Sequence, residues 1–285
     1  MRYLREQAAG MLVVTVCFLL LIPISGWANS KRERSQGNLI ESKESKKKLS
    51  ALRIPFIENQ GQADAQIKYY APTFGGSFQV MKNGELQLIL PAPEDRQDKP
   101  VLIRERLMAA KKITVHAEEP AVTKVSYFIG QDRSNWRTSL PTYQVVSLGQ
   151  VYDGIELKLK AYGSTVEKLF SLQPGADARA IRIAVNGVEK IQNLGDGRLE
   201  LSTAYGPVHL SKPMAYQVVA GKNHPVKVAY RLLKDGYGFK LGAYDRSRSL
   251  VIDPLIQATY LGGDRLDYIT DIKVDAVSNN VYVTG

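Results

Sequence analysis

Cysteine is almost absent from this chain: its 285 residues hold one, Cys17. That residue lies inside the first apolar run, without the small-residue setting of a lipoprotein signal. A mature protein that has lost the run therefore has no disulfide, thiol nucleophile or thiolate metal site. Histidine is scarce too. His116, His209 and His224 are the three present, and none has metal-ligand spacing such as HxxxH, so neither a metal nor a cofactor is expected. No GxSxG elbow or similar nucleophile motif occurs. Capped helical amphipathicity is missing as well. Residues 104–112 (RERLMAAKK) are the only helix candidate, and they read equally as a strand end.

What is present bounds the class. Hydrophobic residues make up 44% of the chain, enough for a real core, and the length allows one or two domains. The net charge of +10 sits partly in residues 31–48, and the remaining Lys and Arg are spread over alternating strands. That spread argues against a nucleic-acid partner, which would gather basic residues on one element with aromatics between them.

The first 28 residues have the three parts of a Sec signal peptide. Arg2 and Arg5 form the positive end, residues 11–22 the apolar run, and Gly26 and Ala28 the small residues before a cut after Ala28. The run is too short to span a bilayer, so the expected product is secreted or exposed at the cell surface, without a transmembrane span. Residues 29–50 are charged and poor in large apolar groups, which predicts a basic disordered linker.

From 51 to 254 the dominant period is two. Ile155, Leu157 and Leu159 alternate with Glu156, Lys158 and Lys160, and Ile181, Ile183 and Val185 alternate with Arg182 and Ala184. Such alternation is a half-buried strand. Turn signals punctuate it at Asn83-Gly84, Asn186-Gly187, Gly195-Asp196-Gly197, Tyr205-Gly206-Pro207 and Asp235-Gly236. The fold expected is all-β: an antiparallel, β-sandwich-like module. Residues 255–285 read as a single β-propeller repeat. One blade cannot close a ring, so the array is expected to be incomplete, with an exposed strand edge at 281–285.

Candidate chemistry is thin. Asp153, Glu156 and Glu167 are the best carboxylate cluster for an acid and nucleophile pair, but Glu156 shares its strand face with two lysines, an ordinary surface pattern. Trp136, with Arg137, Tyr143 and Tyr152, offers a stacking or anchoring surface; the competing expectation is that Trp136 plugs the core. Asp264, Asp267, Asp271 and Asp275 invite a calcium reading, yet they lack both the DxDxDG loop and the GGxGxD nonapeptide.

Several strings together resemble one family. FIENQGQ (56–62), YFIGQDRSNWRTSLPTYQ (127–144), VYDGIELKLKAYG (151–163), LQPGADARAIRI (172–183), GDGRLELSTAYGPVHLSKPMAYQ (195–217) and YDRSRSLVIDP (244–254) are similar to the N-terminal domain of unknown function in bacterial seven-bladed β-propeller (SBBP) repeat proteins. TYLGG and the residues after it (259–285) resemble the repeat that follows that domain. The chain departs from the pattern at Asp153 and Glu156, and at Asn279-Asn280 where the repeat has a Gly-Asn turn. The resemblance implies a surface or secreted bacterial protein with further repeats in full-length relatives, and no established activity. Three functions are then open: a non-catalytic scaffold or binding module for a glycan or protein, a secreted carbohydrate-active or other hydrolase using Asp153, Glu156 or Glu167, and a truncated product without a function of its own.

Overall fold

A computed structural model of the chain describes residues 52–92, 99–128, 130–163, 165–257, 271–274 and 281–284. The expected leader and linker, and the acids Asp264, Asp267 and Asp275, lie outside these residues. Strands β1 (Arg53–Ile54), β2 (Phe56–Glu58), β3 (Ile67–Thr73), β4 (Gly76–Met81), β5 (Leu86–Leu90) and β6 (Val101–Leu107) come first, and β2 to β6 form an antiparallel meander. Residues 104–107, the first four of the nine-residue helix candidate, belong to β6. Ile103, Glu105 and Leu107 all point inward there, a period of two that a helix does not have. After β7 (His116–Pro120), β8 (Val125–Tyr127) and β9 (Arg137–Leu140) come the long strands β10 (Thr142–Tyr152), β11 (Ile155–Tyr162) and β12 (Thr165–Leu172). Then follow β13 (Arg182–Asn186), β14 (Lys190–Asn193), β15 (Leu199–Thr203), β16 (Gly206–Leu210), β17 (Met214–Val219), β18 (Lys222–Pro225), β19 (Val228–Leu233), β20 (Gly236–Leu241), β21 (Leu250–Asp253) and β22 (Leu255–Gln257). A hairpin of β23 (Asp271–Val274) and β24 (Val281–Thr284) ends the described part.

Every ladder is antiparallel, as the alternation predicts, and twenty strands share one sheet. The sheet curls because two strands change partner along their length. The first part of β12 (Thr165 to Glu167) pairs with β22, and its last part (Phe170 to Leu172) with β21. β10 likewise pairs with β2 at Thr142 and Tyr143, and with β11 from Val146 onward. One hydrogen-bonded path therefore runs from β19 through β20, β13, β6, β5, β4, β3, β2, β10, β11, β12, β22, β16 and β15 to β14. Its ends, β14 and β19, approach within 8 Å at Cα, which makes a nearly closed, barrel-like sheet.

One core fills the interior. Phe56, Phe78, Phe170, Phe239 and Tyr237 are its largest aromatic members, and all are 1% exposed or less. Burial of each stabilises the fold by about 1.5–3 kcal/mol. Two glycines are dictated by backbone geometry. Gly187 has φ +84, and a Cβ there would lie 2.0 Å from the Leu102 carbonyl oxygen. At Gly236 a Cβ would lie 1.9 Å from the Ile183 carbonyl oxygen, where β20 packs against β13. The Asn186-Gly187 signal is thus a corner and not a hairpin, since β13 pairs with β6 and β20. Among the described residues, no helix is long and apolar enough to cross a membrane.

Candidate functional site

Two places stand out from the regular sheet, one inside and one outside. The interior one breaks the alternation rule. In β12 the inward phase reads Val166, Lys168, Phe170, Leu172, and in β6 it reads Ile103, Glu105, Leu107. The pleat therefore carries an amine and a carboxylate into the core. Lys168 is 0% exposed, Glu105 5% and Tyr237, inward on β20, 0%. Lys168 Nζ donates to Glu105 Oε2 at 2.6 Å and also to the Tyr237 hydroxyl. The Tyr237 hydroxyl in turn donates to Glu105 Oε1 at 2.8 Å. Lys168 Nζ lies 5.2 Å from the Tyr237 ring centroid, and Tyr230 meets that ring edge-on at 5.6 Å.

Electrostatics follow from the burial. Loss of solvent pushes the Lys168 ammonium below its usual range, against the opposing pull of Glu105. Burial first, then the Glu105 charge, pushes the Tyr237 phenol well above its usual value, so it stays a donor. Holding two charges in such a place costs several kcal/mol per ion before their attraction is counted. Two small cavities adjoin the cluster, each of about 10 Å³: one reaches Glu105 past Phe78 and Ile103, the other touches both Glu105 and Lys168. Each is at the threshold for a single water.

The exterior place is the two-stranded β8–β9 sheet. Between its strands, the Asp132 side chain caps a single 3₁₀ turn by accepting from the Ser134 amide at 2.9 Å. Trp136 follows that turn. It is half-buried and outside the core, contrary to the expectation of a core plug, because β8 and β9 pair only with each other. Its Nε1 donates to the Gly130 carbonyl at 3.2 Å. Phe128, 62% exposed, meets it edge-on at 5.1 Å, and the Arg133 guanidinium lies 5.3 Å from its ring. Arg137 staples this lobe to the loop after β2, donating to the Gln60 carbonyl at 3.2 Å and to Ser134 at 2.6 Å. Two of the strings singled out in the sequence, FIENQGQ and the one holding SNWRT, thus meet in space.

The other sequence candidates are dispersed. Tyr143 is half-buried edge-on against Tyr69, whereas Tyr152 is buried and shares its hydroxyl between the Met108 and Arg182 carbonyls. Eight residues of β10 lie between these two, and with the two register shifts there they stand roughly 23 Å apart along the strand. Asp153 stands at the β10–β11 turn, 92% exposed at its side chain and paired with Lys111. Glu156 faces Ser171 in the β11–β12 ladder, and Glu167 faces Lys160. That register sets the two carboxylates about 13 Å apart along the strands, beyond the ~5 to ~9.5 Å a glycosidase pair spans. Glu167 has a different acidic neighbour, Asp253, whose carboxyl is pushed up to about 6 by burial and then by the Glu167 charge. Asp271 opens β23. His116 pairs with Glu118 and His209 with Glu200, each at 3.3 Å, while His224 lies on β18. Among the described residues no three His, Cys, Asp or Glu side chains converge as metal ligands would.

Arg179, Arg231, Arg246 and Tyr244 line an open cleft of about 390 Å³. Two of its cations are already engaged: Arg179 with Asp177 at 3.2 Å, and Arg231 with the Arg179 carbonyl at 3.1 Å.

The interior cluster escaped sequence reading although its signal was there. Lys168 and Glu105 each occupy the apolar phase of a strand, and a search for charges out of phase would have found both.

No curated protein and no solved structure matches the chain. A family model described as a domain of unknown function, DUF7948, matches residues 56–255, from the start of β2 into β22. That span is well over half of the sequence and takes in both the interior cluster and the exterior lobe. The chain belongs to the DUF7948 family.

Proposed function

We propose that this chain is a secreted or cell-surface, non-catalytic binding module of an SBBP-repeat protein, with a glycan or protein as its partner. The observation that carries the reading is the surface lobe in which exposed Phe128 and Arg133 flank half-buried Trp136. Aromatic and arginine side chains side by side on the surface are the residues that anchor interfaces and stack on sugar rings. The lobe is also preorganised. The Asp132 cap and the Arg137 staple fix it before any partner arrives, which lowers the ordering cost of binding. The signal-like leader supports export, and the antiparallel β23–β24 hairpin is a strand pair that a propeller blade requires.

The test is binding of the purified chain to a glycan panel and to intact cell envelopes, compared with Trp136→Ala and Phe128→Ala. Loss of a hot-spot aromatic costs about 2 kcal/mol, roughly thirtyfold in affinity. Retention of full binding by both variants would remove the lobe from the function.

A further inference from the structure

We propose that Lys168 and Glu105 condense within the folded protein into an intramolecular amide between Nζ and Cδ, with release of one water. The inference does not depend on the binding role of the exterior lobe. It rests on four features of the interior that meet at one point.

The reacting groups are the first. Lys168 Nζ and Glu105 Oε2 lie 2.6 Å apart, and both residues are held by strands whose registers are fixed on each side. Such placement turns a bimolecular condensation into a unimolecular one and supplies the entropy that amide formation lacks in water. The second feature is a proton relay. The Tyr237 hydroxyl touches both Lys168 Nζ and Glu105 Oε1. One proton passes from the ammonium to the Tyr237 oxygen while the Tyr237 proton moves to Oε1, which leaves a neutral amine beside a neutral carboxylic acid. The amine nitrogen attacks Cδ, and the C–N bond forms. A second proton then follows the same relay to Oε1, the Cδ–Oε1 bond breaks, and Oε1 departs as water with both protons. Oε2 remains as the amide carbonyl, and Tyr237 regains its hydroxyl. No oxidant, cofactor or activating group is consumed.

The third feature is the environment. Burial lowers the proton affinity of Lys168 and keeps the Tyr237 phenol protonated, the states that attack and relay require. An amide carries no net charge, so condensation removes both charges from a site that penalises them. The fourth is a place for the product. The cavity lined by Glu105, Lys168, Leu157 and Phe170 has about 10 Å³, the size at which one water is held.

The bond would tie β6 to β12, which share no ladder, and so brace the barrel interior from within. In a chain with a single cysteine it takes the place that a disulfide holds in other exported proteins.

Intact mass spectrometry of the denatured full chain tests the proposal. The expected mass is that of the residues the purified chain retains, leader removed or not, less one water, and protease digestion should yield a branched peptide that joins the Glu105 segment to the Lys168 segment. Lys168→Met should restore the full mass. In Tyr237→Phe, which keeps the ring and removes the relay, the deficit should accumulate on the order of a hundredfold more slowly after refolding. The wild-type measurement needs no variant to fold. A wild-type chain at full mass overturns the proposal, as does a water deficit that persists in Lys168→Met. An unchanged rate in Tyr237→Phe overturns the relay.

Discussion

Asp253 shows how far one side chain can depart from the pattern around it. It lies on β21 with Oδ1 buried and without a hydrogen-bond partner among the described residues. Burial raises its carboxyl to about 6, the Glu167 charge adds to the rise, and Lys160 opposes it. Because the folded-state value is above the unfolded one, the native chain binds the proton more tightly than the unfolded chain does. Stability from this group is therefore full below about pH 4 and falls as pH rises toward 6. A rise from the ordinary aspartate value to about 6 corresponds to roughly 3 kcal/mol, and the partial exposure of Asp253 reduces that to about 1 kcal/mol. Asp253→Asn should stabilise the protein by about that amount at pH 7 and flatten its urea-midpoint profile between pH 4 and 6. An Asp253→Asn profile that still falls over this interval would place the titrating group elsewhere.

At the scale of elements, the alternation of apolar and polar residues was legible and the exceptions to it were not. Ile155, Leu157 and Leu159 read directly as the inward face of β11, and Gly195-Asp196-Gly197 as the β14–β15 turn. β8 and β9 were harder to place. They are short, and the pleat gives no sign of whether Trp136 faces a core or solvent when its hairpin joins no larger sheet. The carboxylate grouping is looser in space than in sequence for a related reason. Nearness in sequence brought Asp153, Glu156 and Glu167 together, but the β11–β12 register separates Glu156 from Glu167, while the β21 strand brings in Asp253 from far along the chain. The element assignments can be tested by contrast. Phe170→Ala, in the packed inward row of β12, should cost about 3–5 kcal/mol, whereas Trp136→Ala should cost about 1 kcal/mol, since it forfeits the Phe128 edge contact, the Arg133 contact and an exposed hydrogen bond to Gly130 but no core volume. Denaturant melts of the two variants decide this, and comparable losses would mean that the hairpin is part of the core.

For the whole molecule, closure depends on strands that arrive last. β21 lies between β12 and β17, and β22 between β12 and β16, so the final described strands of the main sheet complete ladders begun some ninety residues earlier, at Thr165. Without them, β12 keeps only its β11 edge, and the β14–β16 and β17–β18 segments lose their attachment to the rest of the sheet. Such long-range pairing makes folding slow and highly cooperative. It also explains why turn signals alone predicted strands but not their closure, because no local feature of residues 250–257 announces two different neighbours. A chain ending at Ser249 should therefore fail to fold, exposing unpaired edges and aggregating. A chain ending at Gln257 keeps every ladder of the main sheet and should melt within a few degrees of the full chain. Circular dichroism and size-exclusion chromatography of the two truncations provide the measurement. A folded, monomeric chain ending at Ser249 would show that the barrel closes without its last two strands, and that β12 is held by β11 alone.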